Sequence, residues 1–157
     1  MQCLQSRIKQ LLNLFLITFL CGACSLPQIF FGQDNIHLLL GNPSYGSQLE
    51  SSRYKQFLRS QYALLYDRTT NTAAWVSWQL NRDWIGTLNR PPFTPDSDLP
   101  AQWFAVTPSD YTNSGFDRGH LVPAADRNRT HEDEVAVFKM TNIVHQSPDN
   151  NRGRWEA

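Results

Sequence analysis

The tetrapeptide Asp117-Arg118-Gly119-His120 sets an imidazole beside a glycine, where a backbone can turn tightly and a bulky ligand can approach. An unperturbed imidazole changes charge near pH 6.5, so it takes a proton from water at physiological pH. A lone histidine in such a tetrapeptide is more often structural than catalytic. The other pattern with chemical potential is Cys21-Gly22-Ala23-Cys24. It has neither a preceding strand nor a second ligand pair, which argues against a redox or zinc site.

The residues after His120 narrow the choice. Leu121 to Arg127, Thr141 to Val144, Gln146 to Asn151, and Trp155 follow in that order at close spacing. With Leu39 to Pro43, Ala73 to Asn81 and Asp98 to Pro100, they resemble the DNA/RNA non-specific endonuclease family in its cyanobacterial form, over residues 36–157. The resemblance implies an α+β fold of the ββα-metal (His-Me finger) nuclease type, an antiparallel sheet with flanking helices, incomplete at the C-terminus. It also implies Mg²⁺-dependent hydrolysis of phosphodiester bonds in DNA and RNA without strong sequence preference, with Mn²⁺ as a substitute cation. On this resemblance His120 matches the general base and Asn151 the single protein ligand to magnesium. Arg90, aligned across a one-residue gap, matches the arginine that contacts the scissile phosphate. Arg118 is a candidate for phosphate contact or local ion pairing, with Asp117 beside it, and Asn142 for orienting the site.

The chemistry suits these residue types. Phosphodiester hydrolysis needs an activated water and a counter-charge for the transition state. Mg²⁺ keeps most of its waters and asks for few protein oxygens, so one asparagine carbonyl suffices. Arginine supplies a planar, permanently charged donor to phosphate. Plainer roles stand beside these: Arg90 as a solvated loop charge, Asn151 as a helix N-terminal residue, Asp117 and Arg118 as partners of each other or of neighbours. Asp126 and Arg127 read as a structural turn.

Two departures from the family pattern matter. His145 stands where relatives show proline, so the local backbone is expected to differ. The resemblance also implies a glutamate eight residues after the metal asparagine, at a position 159 that the sequence does not reach. On an ideal helix Glu156 would point roughly 60° away from that direction and lie about one turn short of it. The expectation is therefore a poor enzyme of low solubility, with a hairpin exposing an unpaired edge and two tryptophan-bearing faces. A catalytically inactive nucleic-acid-binding or surface lipoprotein fragment is the alternative.

Several elements must position these groups. His37 to Pro43 reads as a short strand ending in a turn, and Ser44 to Ser52 as a loop. Tyr62 to Tyr66 and Ala73 to Leu80, around the polar Asp67 to Asn71, make a β-hairpin. Asn89 to Pro100 holds four prolines, which excludes a regular element, and Trp103 to Val106 reads as briefly extended. Thr130 caps a helix of two to three turns whose first turn carries Glu132, Asp133 and Glu134. Asn142 to His145 is extended, and Ser147 to Asn151 turns into a second helix.

Residues 1–24 read as an export signal: Arg7 and Lys9, then an apolar run from Leu11 to Leu20, then Gly22 and Ala23. All three cysteines lie in this leader, and Cys24 resembles a lipid-acceptor cysteine. The expected location is extracytoplasmic, whether secreted, periplasmic or lipid-anchored. Across 157 residues, 14 Lys and Arg balance 14 Asp and Glu, so the whole-molecule field selects no partner. Without the leader 12 basic residues face 14 acidic ones, and nucleic acid must be held by a local basic site. The expected partners are DNA and RNA, an inhibitor protein of unstated identity, and a membrane only if Cys24 is lipidated. Five tryptophans and nine phenylalanines supply enough core material to exclude a disordered chain.

Overall fold

A computed structural model describes residues 35–44 and 52–155. The leader, its cysteines and Glu156 lie outside the described residues.

The hairpin forms where the sequence places it. Strand β2 (Ala63–Asp67) pairs antiparallel with β3 (Thr72–Ser77). The turn between them is fixed by Asp67, whose Oδ1 accepts the Thr69 amide at 2.8 Å and its hydroxyl at 2.7 Å. Asn71 takes the left-handed conformation (φ 54°) that asparagine tolerates. Opposite Leu65 and Tyr66 stand Trp75 and Ala73, so Ala74 is an extra residue that bulges β3.

A third strand, β1 (Tyr54–Leu58), pairs with the other edge of β2 and makes it central, with every residue buried. This corrects the expected hairpin on its β2 edge, while β3 remains the outer strand of the sheet among the described residues. β1 escaped the sequence reading because Lys55 and Gln56 break its apolar pattern. The tryptophans are anchored as well: Trp75 Nε1 donates to Ser44 Oγ (2.9 Å) and Trp78 Nε1 to Asp126 Oδ2 (2.9 Å).

The expected strand at His37 is a second correction. Ile36–Leu38 is a single 3-10 turn, started by Asn35 Oδ1 accepting the His37 amide at 2.9 Å. His37 is buried as a brace. Its Nδ1 accepts the Gln79 amide (3.0 Å), so Nε2 carries the proton and donates to Ser60 O (2.7 Å). Burial lowers its pKa below the usual imidazole value, consistent with that neutral form.

Helix α1 (His131–Val137) begins as expected, with Thr130 Oγ1 accepting the Asp133 amide at 3.2 Å. Its apolar face supplies Ala136 and Val137 and leads into Phe138, which pack with Tyr62, Leu64, Tyr66 and Val122 in the main core. Tyr62 ties the layers by donating its hydroxyl to Ala136 O at 2.8 Å.

A separate antiparallel ribbon, β4 (Asp117–His120) with β5 (Ile143–Gln146), carries the motif residues. His145 pairs with Arg118 in regular register, so a histidine at that position sits within an ordinary strand. Trp103 to Val106 forms no strand. The proline-rich segment is irregular yet tethered: Thr94 N donates to Phe138 O (3.1 Å), and Met140 N to Thr94 O (2.9 Å). Buried Asp96 accepts from Arg59 (2.6 Å) and Thr141 (2.5 Å). Backbone without a ladder is thus held by side chains and isolated amides, and Arg90 and Phe93 are delivered to one end of the ribbon.

Candidate active site

The last residue of β4 is His120, and its side chain reaches a cavity of about 430 Å³ whose wall includes Arg90, Asp117, Arg118, Glu134 and Asn151. Five of the six sequence candidates therefore share one cavity. Asn142 does not line it.

His120 is packed on two sides by aromatic rings, with Phe93 at 5.3 Å and the edge of Phe138 at 4.7 Å. Burial, with a further push from Arg90, lowers its pKa to about 4. The imidazole is neutral at physiological pH and able to accept a proton. Its carbonyl is fixed by Trp155 Nε1 at 2.9 Å. Gly119 has a role different from the turn expected of it. It lies within β4, where a Cβ would overlap the Gln146 side chain across the ribbon.

Arg90 is exposed and lies over the Phe138 ring at 5.5 Å. Arg118 lies over Phe93 at 5.0 Å and makes a long bond to Pro108 O at 3.4 Å. Among the described residues neither arginine has a carboxylate within ion-pair distance, so both can take an anionic ligand.

Asp117 pairs with neither Arg118 nor Arg90. Its carboxylate takes a two-point contact from Arg152, with Nε at 2.7 Å and Nη2 at 2.6 Å, and accepts Asn151 Nδ2 at 3.2 Å. The Arg152 hydrogen bonds hold its pKa below the usual carboxylate value. Asn151 lies in a π-type turn (Asn150–Arg154), its backbone amide bonded to Ser147 O at 2.9 Å. With its side-chain nitrogen committed to Asp117, its carbonyl oxygen is the atom left for a cation.

Asn142 is fully buried and acts on the backbone. It donates Nδ2 to Val122 O (3.1 Å) and Val137 O (2.9 Å), and its Oδ1 accepts the Val122 amide (3.0 Å). These bonds lock the chain just after His120 to the end of α1. Arg127, read as part of a structural turn, is completely buried. It donates to Gln61 O and Gln79 O at 2.7 Å each and stacks on Trp84 at 4.2 Å.

The sequence reading missed Glu134 and Arg152. Glu134 does lie in the first turn of α1, where the sequence places it, but it is 2% exposed and faces the cavity. Its spacing of four from the core residue Phe138 is the available signal, since that places both on one helix face. Arg152 carried no signal, because its pairing with Asp117 depends on how the final turn folds back on the ribbon.

The model of the family described as DNA/RNA non-specific endonuclease matches residues 41–157. The chain belongs to that family. A nuclease from Nostoc sp. (strain PCC 7120 / SAG 25.82 / UTEX 2576) is similar at 51% identity over 124 residues, covering 77% of this chain and 45% of the relative. Mitochondrial nuclease EXOG of Xenopus laevis is similar at 36% over 114 residues, covering 71% and 31%. The chain thus spans less than half the length of either endonuclease-family relative. In three dimensions it resembles a chain of the EndoG/EndoGI complex, with a TM-score of 0.58 at 24% identity, over 64% of this chain and 43% of that one. That likeness supports the α+β nuclease fold.

Proposed function

We propose that this endonuclease-family chain hydrolyses phosphodiester bonds of DNA and RNA with Mg²⁺, for which Mn²⁺ can substitute. The observation that carries the reading is the meeting of His120, Arg90 and Asn151 in one cavity from three separate segments of the sequence. His120 takes the proton of the attacking water. Arg90, without a carboxylate at ion-pair distance among the described residues, receives a non-bridging phosphate oxygen, and Arg118 extends the same positive wall toward a neighbouring phosphate.

The residues present fit a hard divalent cation. Among the described residues no group of three His, Cys, Asp or Glu could enclose a metal. Asn151, steadied by Asp117, instead offers one neutral oxygen beside open space, which suits an ion that keeps most of its water. When bound, Mg²⁺ supplies counter-charge to the phosphate and its leaving oxygen. Asp117 then positions Asn151, and its pairing with Arg152 keeps it ionised for that task.

The domain that does this work is proposed to span residues 36–157. Residues 1–24 are proposed to direct export, with Cys24 as the site of a lipid anchor if one is added. EndoG was solved with EndoGI in a complex that concerns EndoG inhibition, which supports an inhibitor protein as a further partner class here. Supercoiled plasmid and single-stranded RNA incubated with the purified chain test the activity. Cleavage of both with Mg²⁺ and of neither with EDTA is expected; binding without cleavage at any Mg²⁺ concentration would favour an inactive nucleic-acid-binding protein.

A further inference from the structure

Two buried polar atoms of the cavity wall have no hydrogen-bond partner among the described residues: His120 Nε2 and Glu134 Oε2. The residues are 6% and 2% exposed. Buried polar atoms are nearly always satisfied, so two orphans facing one cavity point to a shared partner. Their chemistry is complementary, since a neutral imidazole has one N–H to give and a carboxylate only accepts.

Both residues line the same cavity. The Phe138 amide donates to Glu134 O (3.2 Å), so residues 134 and 138 stand one turn apart on one face, with Cβ atoms about 5–6 Å apart. The Phe138 ring meets the His120 ring edge-on at 4.7 Å. Phe138 thus stands between the two in the fold, its ring against the imidazole and its backbone one turn from Glu134, and a water in the shared cavity wall that met both orphaned atoms would gain polar partners on both sides. Among the described residues no side-chain hydrogen bond holds the His120 ring, and Nδ1 is not among the sealed atoms. Nδ1 is the ring nitrogen left to face the cavity.

We propose that Glu134 is a positioning residue for His120: through one buried water it accepts the Nε2–H and holds the tautomer whose Nδ1 lone pair faces the attacking water. The inference rests on the reading of His120 as proton acceptor. In the step it serves, the attacking oxygen bonds to phosphorus and its proton passes to Nδ1. The electron pair of the breaking P–O bond leaves with the departing oxygen, which takes a proton from solvent. Nε2 keeps its own proton throughout, and the new imidazolium charge is met by the Glu134 carboxylate across the water. The cavity otherwise offers little help to that charge. Arg90, Arg118 and Arg152 are cationic, Asp117 is committed to Arg152, and Arg90 opposes the imidazolium; burial raises the Glu134 carboxyl above its usual value, while Arg90 and His131 pull it back toward the ionised form.

Nitrogen-15 NMR of the His120 ring in the full, metal-free chain reads the tautomer directly. The Nε2-protonated form is expected in the parent and in Glu134→Gln, whose amide oxygen still accepts. Mixed tautomers are expected in Glu134→Leu. In hydrolysis, Glu134→Leu is expected to lower kcat about 10- to 100-fold, the usual effect of removing a carboxylate that orients a site histidine, with KM little changed. Glu134→Gln should fall between it and the parent. A dominant Nδ1-protonated form in the parent, or one tautomer in all three proteins, overturns the proposal. If Glu134→Leu does not fold, the titration midpoint of His120 in Glu134→Gln decides: a fall supports the proposal, and no change overturns it. A parent that shows the expected tautomer yet cuts no nucleic acid would sink the nuclease reading alone. Cleavage with a tautomer indifferent to residue 134 would sink only this inference.

Discussion

Replacing Asn142 with alanine is expected to cost about 3–5 kcal/mol of folding stability, because three buried backbone groups lose their partner. The Val122 amide and the Val122 and Val137 carbonyls all bond to this one side chain, which is 0% exposed. Each orphaned buried group costs about 1–3 kcal/mol, and the carbonyls fall at the lower end because a second lone pair can find another donor. Against a total of about 5–15 kcal/mol the variant stays folded but weakened. A domain of this size should melt roughly 10–20 °C earlier. Urea titration of parent and variant at one pH measures the difference, and an unchanged slope would show that the unfolded state is the same. The main-chain bond from Leu121 N to Asn142 O (2.9 Å) sits beside the lost contacts, so the segment after His120 should also loosen. A base displaced by about 1 Å costs about 100-fold in rate, so kcat should fall while Mg²⁺ dependence stays. A stability loss below about 1 kcal/mol with parental turnover would refute the assignment of Asn142 as the lock behind His120.

Four further outcomes are expected. Asn151→Ala should raise the Mg²⁺ concentration needed for half-maximal cleavage, and an unchanged requirement would remove Asn151 from the cation site. Asp117→Asn should do the same more weakly, since Asn151 loses its charged anchor and Arg152 its two-point partner; a metal titration reads this without assuming a rate. Arg90→Ala should cut kcat/KM by about 100-fold or more if the guanidinium meets the transition state, whereas Arg90→Lys should recover only part of it. Below pH 6.5 the unfolded chain protonates residue 120 while the folded chain, with its pKa lowered to about 4, does not. Stability contributed by the neutral ring is therefore complete above pH 6.5 and is lost between about pH 6.5 and 4, by roughly 3 kcal/mol in all. His120→Asn should flatten that part of the stability profile.

Local chemistry was legible in the sequence wherever one short stretch settles the structure. Asp67 to Asn71 between two aromatic runs can only turn, and Thr130 ahead of three carboxylates can only start a helix, so β2, β3 and α1 were readable. The meeting of His120 with Arg90 and Asn151 was legible only through family resemblance, because the segments between them have no period that would place one beside another. β1 was hidden because its pairing with β2 overrides a weak local pattern. His37 looked like part of an apolar strand, but its imidazole bridges Ser60 and Gln79, contacts that exist only after the sheet has formed. The burial of Glu134 was hidden for a related reason. A carboxylate in a first helical turn is ordinarily solvated and favoured by the helix dipole, and only the packing of α1 onto the main core buries this one.

Hydrolysis of supercoiled plasmid by His120→Ala at saturating Mg²⁺ tests the central claim most directly. The imidazole is assigned to the proton of the attacking water and to no metal bond, so the variant should bind DNA and Mg²⁺ as the parent does while cleaving about 100- to 10,000-fold more slowly. Added imidazole should restore part of the rate. Cleavage by His120→Ala at the parental rate would contradict the account.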